Sequence, residues 1–214
     1  METTMSFDLW LTFAIASTAL LLIPGPTVLL VLSYALSKGR AVALASALGV
    51  AFGDLIAMTA SLVGLGALVL ASATVFTVLK WAGAVYLIYL GLKLLLSAKG
   101  DGLTVSESAA SDVTARGVFW HTAVVTALNP KSIAFFIAFV PQFITPDTSL
   151  APQFTILIGT FVGLAAINAL AYALLADRLR QQIARPSVIV WLTRAGGAAL
   201  IAMGVLTATL RRAA

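Results

Sequence analysis

Cysteine is absent from the 214-residue chain, which excludes disulfides and thiolate chemistry. Charge is scarce as well. Thirteen Lys and Arg and eight Asp and Glu make up 10% of the residues, where a water-soluble domain carries about 25%. With one histidine, His121, there is no metal-ligand spacing such as HExxH, and neither a phosphate-binding GxxxxGK[ST] segment nor a nucleophile elbow occurs. These absences argue against an enzyme, against a cofactor or a bound metal, and against ATP-driven work by this chain alone. The net charge of +5 does not indicate nucleic-acid binding, because the basic residues fall in short connections between apolar runs.

What fills the chain is apolar: 61% hydrophobic residues and a mean hydropathy of +1.05. Such a chain dissolves in lipid. An uncharged run of about 20 residues spans the hydrocarbon as a helix, and six spans are expected on that basis. The first runs from Phe7 to Leu36. The second and third share Ala41 to Ser97, with a break expected between Ala71 and Thr77. The fourth covers Gly117 to Val140, the fifth Pro152 to Ala176 and the sixth Val188 to Leu210. The runs are continuously apolar rather than alternating, which excludes a β-barrel. The start, METTMSFD followed by a long apolar run, does not read as a cleaved signal peptide, so the first span is expected to be retained.

Lys38, Arg40, Lys99, Arg116, Arg178, Arg180, Arg185 and Arg194 lie in the first, third and fifth connections, with Lys93 at the border. Only Lys80, Arg211 and Arg212 lie on the other side. Basic residues favour the cytoplasmic face, so both termini are expected outside the cytoplasm of a bacterial inner membrane.

The second half of the sequence echoes the first. Leu79–Gly91, LKWAGAVYLIYLG, aligns without a gap to Leu192–Gly204, LTRAGGAALIAMG, with six of thirteen positions identical. Gly49 and Gly53 correspond to Gly159 and Gly163, and Pro24 to Pro130. Three helices per copy force the copies into opposite orientations, the inverted architecture of many secondary transporters. The expected fold is therefore an all-α membrane protein of six transmembrane helices in two inverted three-helix repeats. A single domain is expected, with repeats at 1–100 and 117–214 and a cytoplasmic loop at 101–116.

Pro24, Gly25 and Pro26 should break the first span, since each proline lacks an N–H and opposes the preceding turn. Asn129, Pro130 and Lys131 should break the fourth. Either break also reads as a packing kink. Asp54 is the one acid clearly inside an apolar run, a placement that costs roughly 2.5–3.5 kcal/mol on insertion scales. It could hold a substrate ammonium, carry a coupling proton or pair with Lys131. Asn168 is the polar residue on the repeat-related helix, open to a substrate carboxylate or to a neighbouring helix. His121 reads as a satisfied interfacial histidine. Gly49/Gly53 and Gly159/Gly163 permit close helix approach within one chain or in a homodimer. Trp81, Tyr86, Tyr89, Trp120 and Trp191 read as interfacial anchors in contact with lipid.

PGP with KGR at Lys38–Arg40, the GxxxGD segment at Gly49–Asp54, LKWAGAVYLIYLG, and NPKSIAFF with PQF at Pro141–Phe143 together resemble the lysine-exporter superfamily, in its homoserine and threonine resistance branch, over nearly the whole chain. The resemblance implies efflux of amino acids across the cytoplasmic membrane, driven by the membrane potential or a proton gradient. It also implies a functional core of Pro24, Gly25, Pro26, Asp54, Asn129, Pro130 and Lys131. A single intramembrane acid balances one ammonium and so favours small neutral amino acids such as homoserine, threonine or leucine over basic ones. An ion or metal transporter would need several acidic or thiolate ligands, and a scaffold would not need Asp54 and Lys131.

Overall fold

The computed structural model describes residues 5–23, 25–38, 40–71, 73–97, 114–145, 148–176 and 186–209. The loop expected at 101–116 and Pro24 therefore fall wholly or largely outside the described residues. Eight helices result: α1 (Phe7–Leu22), α2 (Pro26–Lys38), α3 (Arg40–Ala71), α4 (Ala73–Ser97), α5 (Ala115–Ala127), α6 (Pro130–Ala138), α7 (Leu150–Leu174) and α8 (Pro186–Thr209). A 3-10 turn over Val140–Phe143 follows α6.

Helix ends follow local chemistry. Ser6 Oγ accepts from the Leu9 N–H at 3.4 Å to start α1, and Thr114 Oγ1 accepts from the Gly117 N–H at 3.1 Å to start α5. Ile23, which precedes a proline in sequence, has φ −69° and ψ 117°, the extended geometry that ends a helix there. Pro26 and Pro130 open α2 and α6, where a missing N–H costs nothing. Each proline segment thus bends the chain: α1 and α2 meet at 61°, and α5 and α6 at 46°.

Among the described residues, three helices are long and apolar enough to cross a membrane, or five when each bent pair counts as one span. The three are within α3, α4 and α7. The break expected between Ala71 and Thr77 is narrower than that. α3 continues to Ala71 and α4 begins at Ala73, because Ala73–Thr77 holds no proline or glycine to stop the helix. Trp81, Trp120 and Trp191 are exposed on the outer surface, but Tyr86 lies at the middle of the Thr77–Leu96 segment rather than at its end.

α3 is the central helix, packed against α5, α7, α2 and α6. Gly49 and Gly53 bring α5 close. A Cβ at Gly49 would collide with Thr122 Oγ1 and the Phe119 carbonyl, and one at Gly53 with the Ala123 carbonyl. The second glycine pair differs: a Cβ at Gly159 or Gly163 meets nothing within 4 Å, so among the described residues those glycines serve no close approach.

α4 packs on α8 through the repeated segment itself. A Cβ on Gly91 would lie 2.6 Å from the Gly197 carbonyl oxygen and 2.7 Å from Ile201. One on Gly204 would lie 2.8 Å from the Ala84 carbonyl oxygen and 2.6 Å from Ile88. Residue numbers on the two helices run in opposite directions, so the helices are antiparallel. The shift that aligns Leu79–Gly91 with Leu192–Gly204 converts one contact into the other.

Candidate functional site

The two helix breaks meet. Asn129 caps α6, its Oδ1 accepting from the Lys131 N–H at 3.1 Å, while its Nδ2 donates to Thr27 Oγ1 in the first turn of α2 at 3.2 Å. Thr126 Oγ1 donates to the same Thr27 oxygen at 3.4 Å. A Cβ on Gly25 would sit 3.6 Å from Lys131 Nζ, so the bare backbone at the first break lies against the ammonium from the second.

A broken helix leaves its last carbonyls without helical partners. At the end of α1 the Leu20 carbonyl keeps the Ile23 N–H at 3.2 Å, and side chains from the other half of the chain reach it and the carbonyls after it. Lys131 Nζ donates to the Leu20 and Ile23 carbonyls at 3.0 and 3.1 Å. Asn168 Nδ2 donates to Leu21 at 3.1 Å, and the Tyr172 hydroxyl to Leu22 at 3.3 Å. The negative end of the α1 dipole thus faces the site. α2 and α6 begin at the same place and present their positive N-terminal ends to it.

Asp54, on α3, completes the constellation. It is 2% exposed, and its Oδ1 is buried with no hydrogen-bond partner. Lys131 is the charge that acts on it. Yet the Lys131 ammonium is hydrogen-bonded to carbonyls of α1, not to the carboxylate, so the two charges share a site without a direct hydrogen bond. Asp54, Asn129, Lys131, Asn168, Thr27, Ser132 and Tyr172 line one cavity of about 30 Å³, on the scale of a single water molecule.

Asp54, Asn129, Lys131 and Asn168 are therefore brought together, with Gly25 beside them, whereas Pro26 and Pro130 serve at the helix starts. His121 stands apart, its Nδ1 hydrogen-bonded to the Tyr34 hydroxyl at 2.6 Å. Sequence reasoning missed Thr27, Thr126 and Tyr172. Tyr172 could have been found, since it follows Asn168 by four residues and so lies on the same helix face.

A helical membrane protein with two bent helix pairs meeting around one buried carboxylate and one ammonium is the class that these features define. Residues 18–211 match the model of the LysE type translocator family, and the chain belongs to that family. It is 34% identical to a homoserine/homoserine lactone efflux protein of Salmonella typhimurium over 98% of this chain and 100% of that one. It is also 32% identical to an uncharacterized membrane protein of Vibrio cholerae, over 97% of this chain and 100% of the relative. No solved structure matches the chain.

Proposed function

We propose that this translocator is a secondary-active exporter of small amino acids, or of derivatives that keep a free ammonium group, from the cytoplasm across the bacterial inner membrane. The observation that carries the reading is Asp54. A buried carboxylate oxygen with no hydrogen-bond partner is costly in an apolar span and is the natural seat for a cargo ammonium.

The chemistry follows from the groups around it. A cargo ammonium meets Asp54 Oδ1 and the α1 carbonyls now held by Lys131. The displaced Lys131, with the free N–H groups in the first turn of α2, faces the cargo carboxylate. Homoserine and its lactone, the cargo named for the Salmonella relative, share the ammonium but not the carboxylate. That contrast makes the ammonium the anchor. One acid matched to one ammonium favours cargo with a neutral side chain. Among the described residues no group of three His, Cys, Asp or Glu could hold a metal, which favours amino acids over metal ions. A carboxylate that exchanges partners in this way can also carry the coupling proton.

We further read the chain as one domain of six spans, with α1–α2 and α5–α6 each forming a single crossing and α8, 24 residues long, the sixth. The antiparallel, shift-related contacts of Gly91 and Gly204 support two inverted three-helix repeats. Gly25, Pro26, Asn129, Pro130, Lys131, Asn168 and Asp54 form the binding region in this reading, and Pro24 belongs to it by sequence. The basic connections after α2 and α7 put those ends in the cytoplasm and the termini outside it.

The test is efflux of labelled amino acids, homoserine and homoserine lactone among them, from inside-out vesicles carrying wild type or Asp54→Asn. Export of a neutral member by wild type and its loss in the variant is the expected result. Should Asp54→Asn export at the wild-type rate at every pH, Asp54 binds neither cargo nor proton.

A further inference from the structure

We infer that Tyr172 is the gate residue through which cargo reaches this site from the cytoplasm, and that its hydroxyl is the latch. The inference rests on the exporter reading for the identity of what passes, but not for the gate itself.

One face of α7 carries the argument. Residues three and four apart share a helix face, and along α7 that face reads Phe161, Ala165, Asn168, Ala169 and Tyr172, with Ala176 just past the helix end. Ala165, Asn168, Ala169 and Tyr172 all line the cavity. Phe161 and Ala176 lie beyond it on opposite sides. The helix therefore passes from one barrier, through the site, to another.

Among the described residues the two sides are closed by different groups. On the Phe161 side, aromatic rings are stacked several deep. Phe161 packs at 4.8 Å from Phe136 and 5.8 Å from Phe135, Phe135 at 5.2 Å from Phe139, and Phe139 and Phe13 each at 5.3 Å from Phe143. All six are buried within the main core. Among the described residues, the Tyr172 side is closed by a small cluster of Val28, Leu32 and Ala176, with Tyr172 and Ala35, which also touch the main core, packed against it. Tyr172 is only partly buried and lines the cavity at the same time, so it stands between the site and the exterior.

Among the described residues its hydroxyl makes one hydrogen bond, to the Leu22 carbonyl at 3.3 Å. That carbonyl is freed by the break in α1, so the latch fastens to the same broken end that Lys131 and Asn168 hold. In this assignment, movement of the ring opens that side while the phenylalanine barrier stays shut. The sequence beyond α7 carries Arg178 and Arg180, and that after α2 carries Lys38 and Arg40, which assigns the Tyr172 side to the cytoplasm.

The absence of cysteine makes the test direct. Ala165→Cys places one thiol in the cavity, and its labelling rate by a membrane-impermeant maleimide is measured in inside-out and right-side-out vesicles, without cargo. Tyr172→Phe, which keeps the ring, should raise the rate in inside-out vesicles by up to about tenfold, the shift expected for one net hydrogen bond. Tyr172→Ala should raise it further, and neither should change it in right-side-out vesicles. Phe161→Ala is expected to act from the outer face only. Unchanged labelling in both Tyr172 variants, equal rises from both faces, or a rise from the outer face alone would overturn the assignment. Labelling needs no cargo, so a transport panel in which nothing moves sinks the exporter reading alone, and unchanged labelling beside intact export sinks the gate alone.

Discussion

Removing the Lys131 ammonium tests whether the buried charges answer each other. Lys131→Met deletes two hydrogen bonds, to the Leu20 and Ile23 carbonyls, each from a charged donor and worth roughly 1.5–3 kcal/mol. It also strips Asp54 of the cation that acts on it, while Oδ1 has no hydrogen bond to fall back on. Deleting one partner of a buried charge pair costs about 3–5 kcal/mol. For a chain of this length, 1 kcal/mol corresponds to roughly 2–4 °C in Tm, so the variant should unfold about 6–20 °C below wild type. The penalty traces largely to the stranded carboxylate, so adding Asp54→Asn should restore about 1–3 kcal/mol, a coupling typical of interacting sites. Tryptophan fluorescence of the purified protein in detergent, heated at fixed pH, reads all four variants of the cycle. Refutation would come from Lys131→Met melting with wild type, or from the double variant losing the plain sum of the single effects.

The two glycine pairs should behave oppositely. Gly49→Ala meets Thr122 and the Phe119 carbonyl and should cost about 1–3 kcal/mol by overpacking. Gly159→Ala, with nothing within 4 Å, should be neutral or gain up to about 1 kcal/mol of helix propensity. Thermal melts of the two variants side by side decide it. Gln153, fully buried, accepts from the Thr145 N–H at 2.8 Å and donates to the Thr145 carbonyl at 2.9 Å and to Thr148 Oγ1 at 2.8 Å. Gln153→Leu should strand these groups, cost roughly 1–3 kcal/mol and speed amide hydrogen exchange at Thr145. Phe136→Ala, in the thick aromatic barrier, should cost about 3–5 kcal/mol in the same melts.

The breaks were legible in the sequence because proline acts locally: a missing N–H and a clash with the preceding turn need no knowledge of the rest of the fold. Asp54 was legible for a similar reason, as a charge where its neighbours are apolar. What takes up the freed carbonyls of α1 was not legible. Lys131, Asn168 and Tyr172 lie more than a hundred residues away, and only packing decides which donor reaches which oxygen. Tyr172 was hidden because a tyrosine in an apolar helix has the same local signature as an interfacial anchor, the reading given to Tyr86 despite its midspan position. The glycine pairs make the same point. Gly49/Gly53 and Gly159/Gly163 have identical spacing, yet among the described residues only the first has a helix against it, because spacing says how near a partner can come and not whether one is there.

The crossing of α4 and α8 carries a consequence for the direction of transport. Its two halves are interchangeable: Gly91 meets α8 as Gly204 meets α4. A cycle in which the two halves of the chain trade shapes would return this contact to itself, so the crossing is indifferent to which side of the membrane is open. In the inverted-repeat exporter proposed above, any bias between two open states resides in residues without a counterpart. Asp54, Lys131, Tyr172 and the phenylalanines at Phe135, Phe136, Phe139, Phe143 and Phe161 are such residues, and in that reading the direction of transport lies in the departures from symmetry.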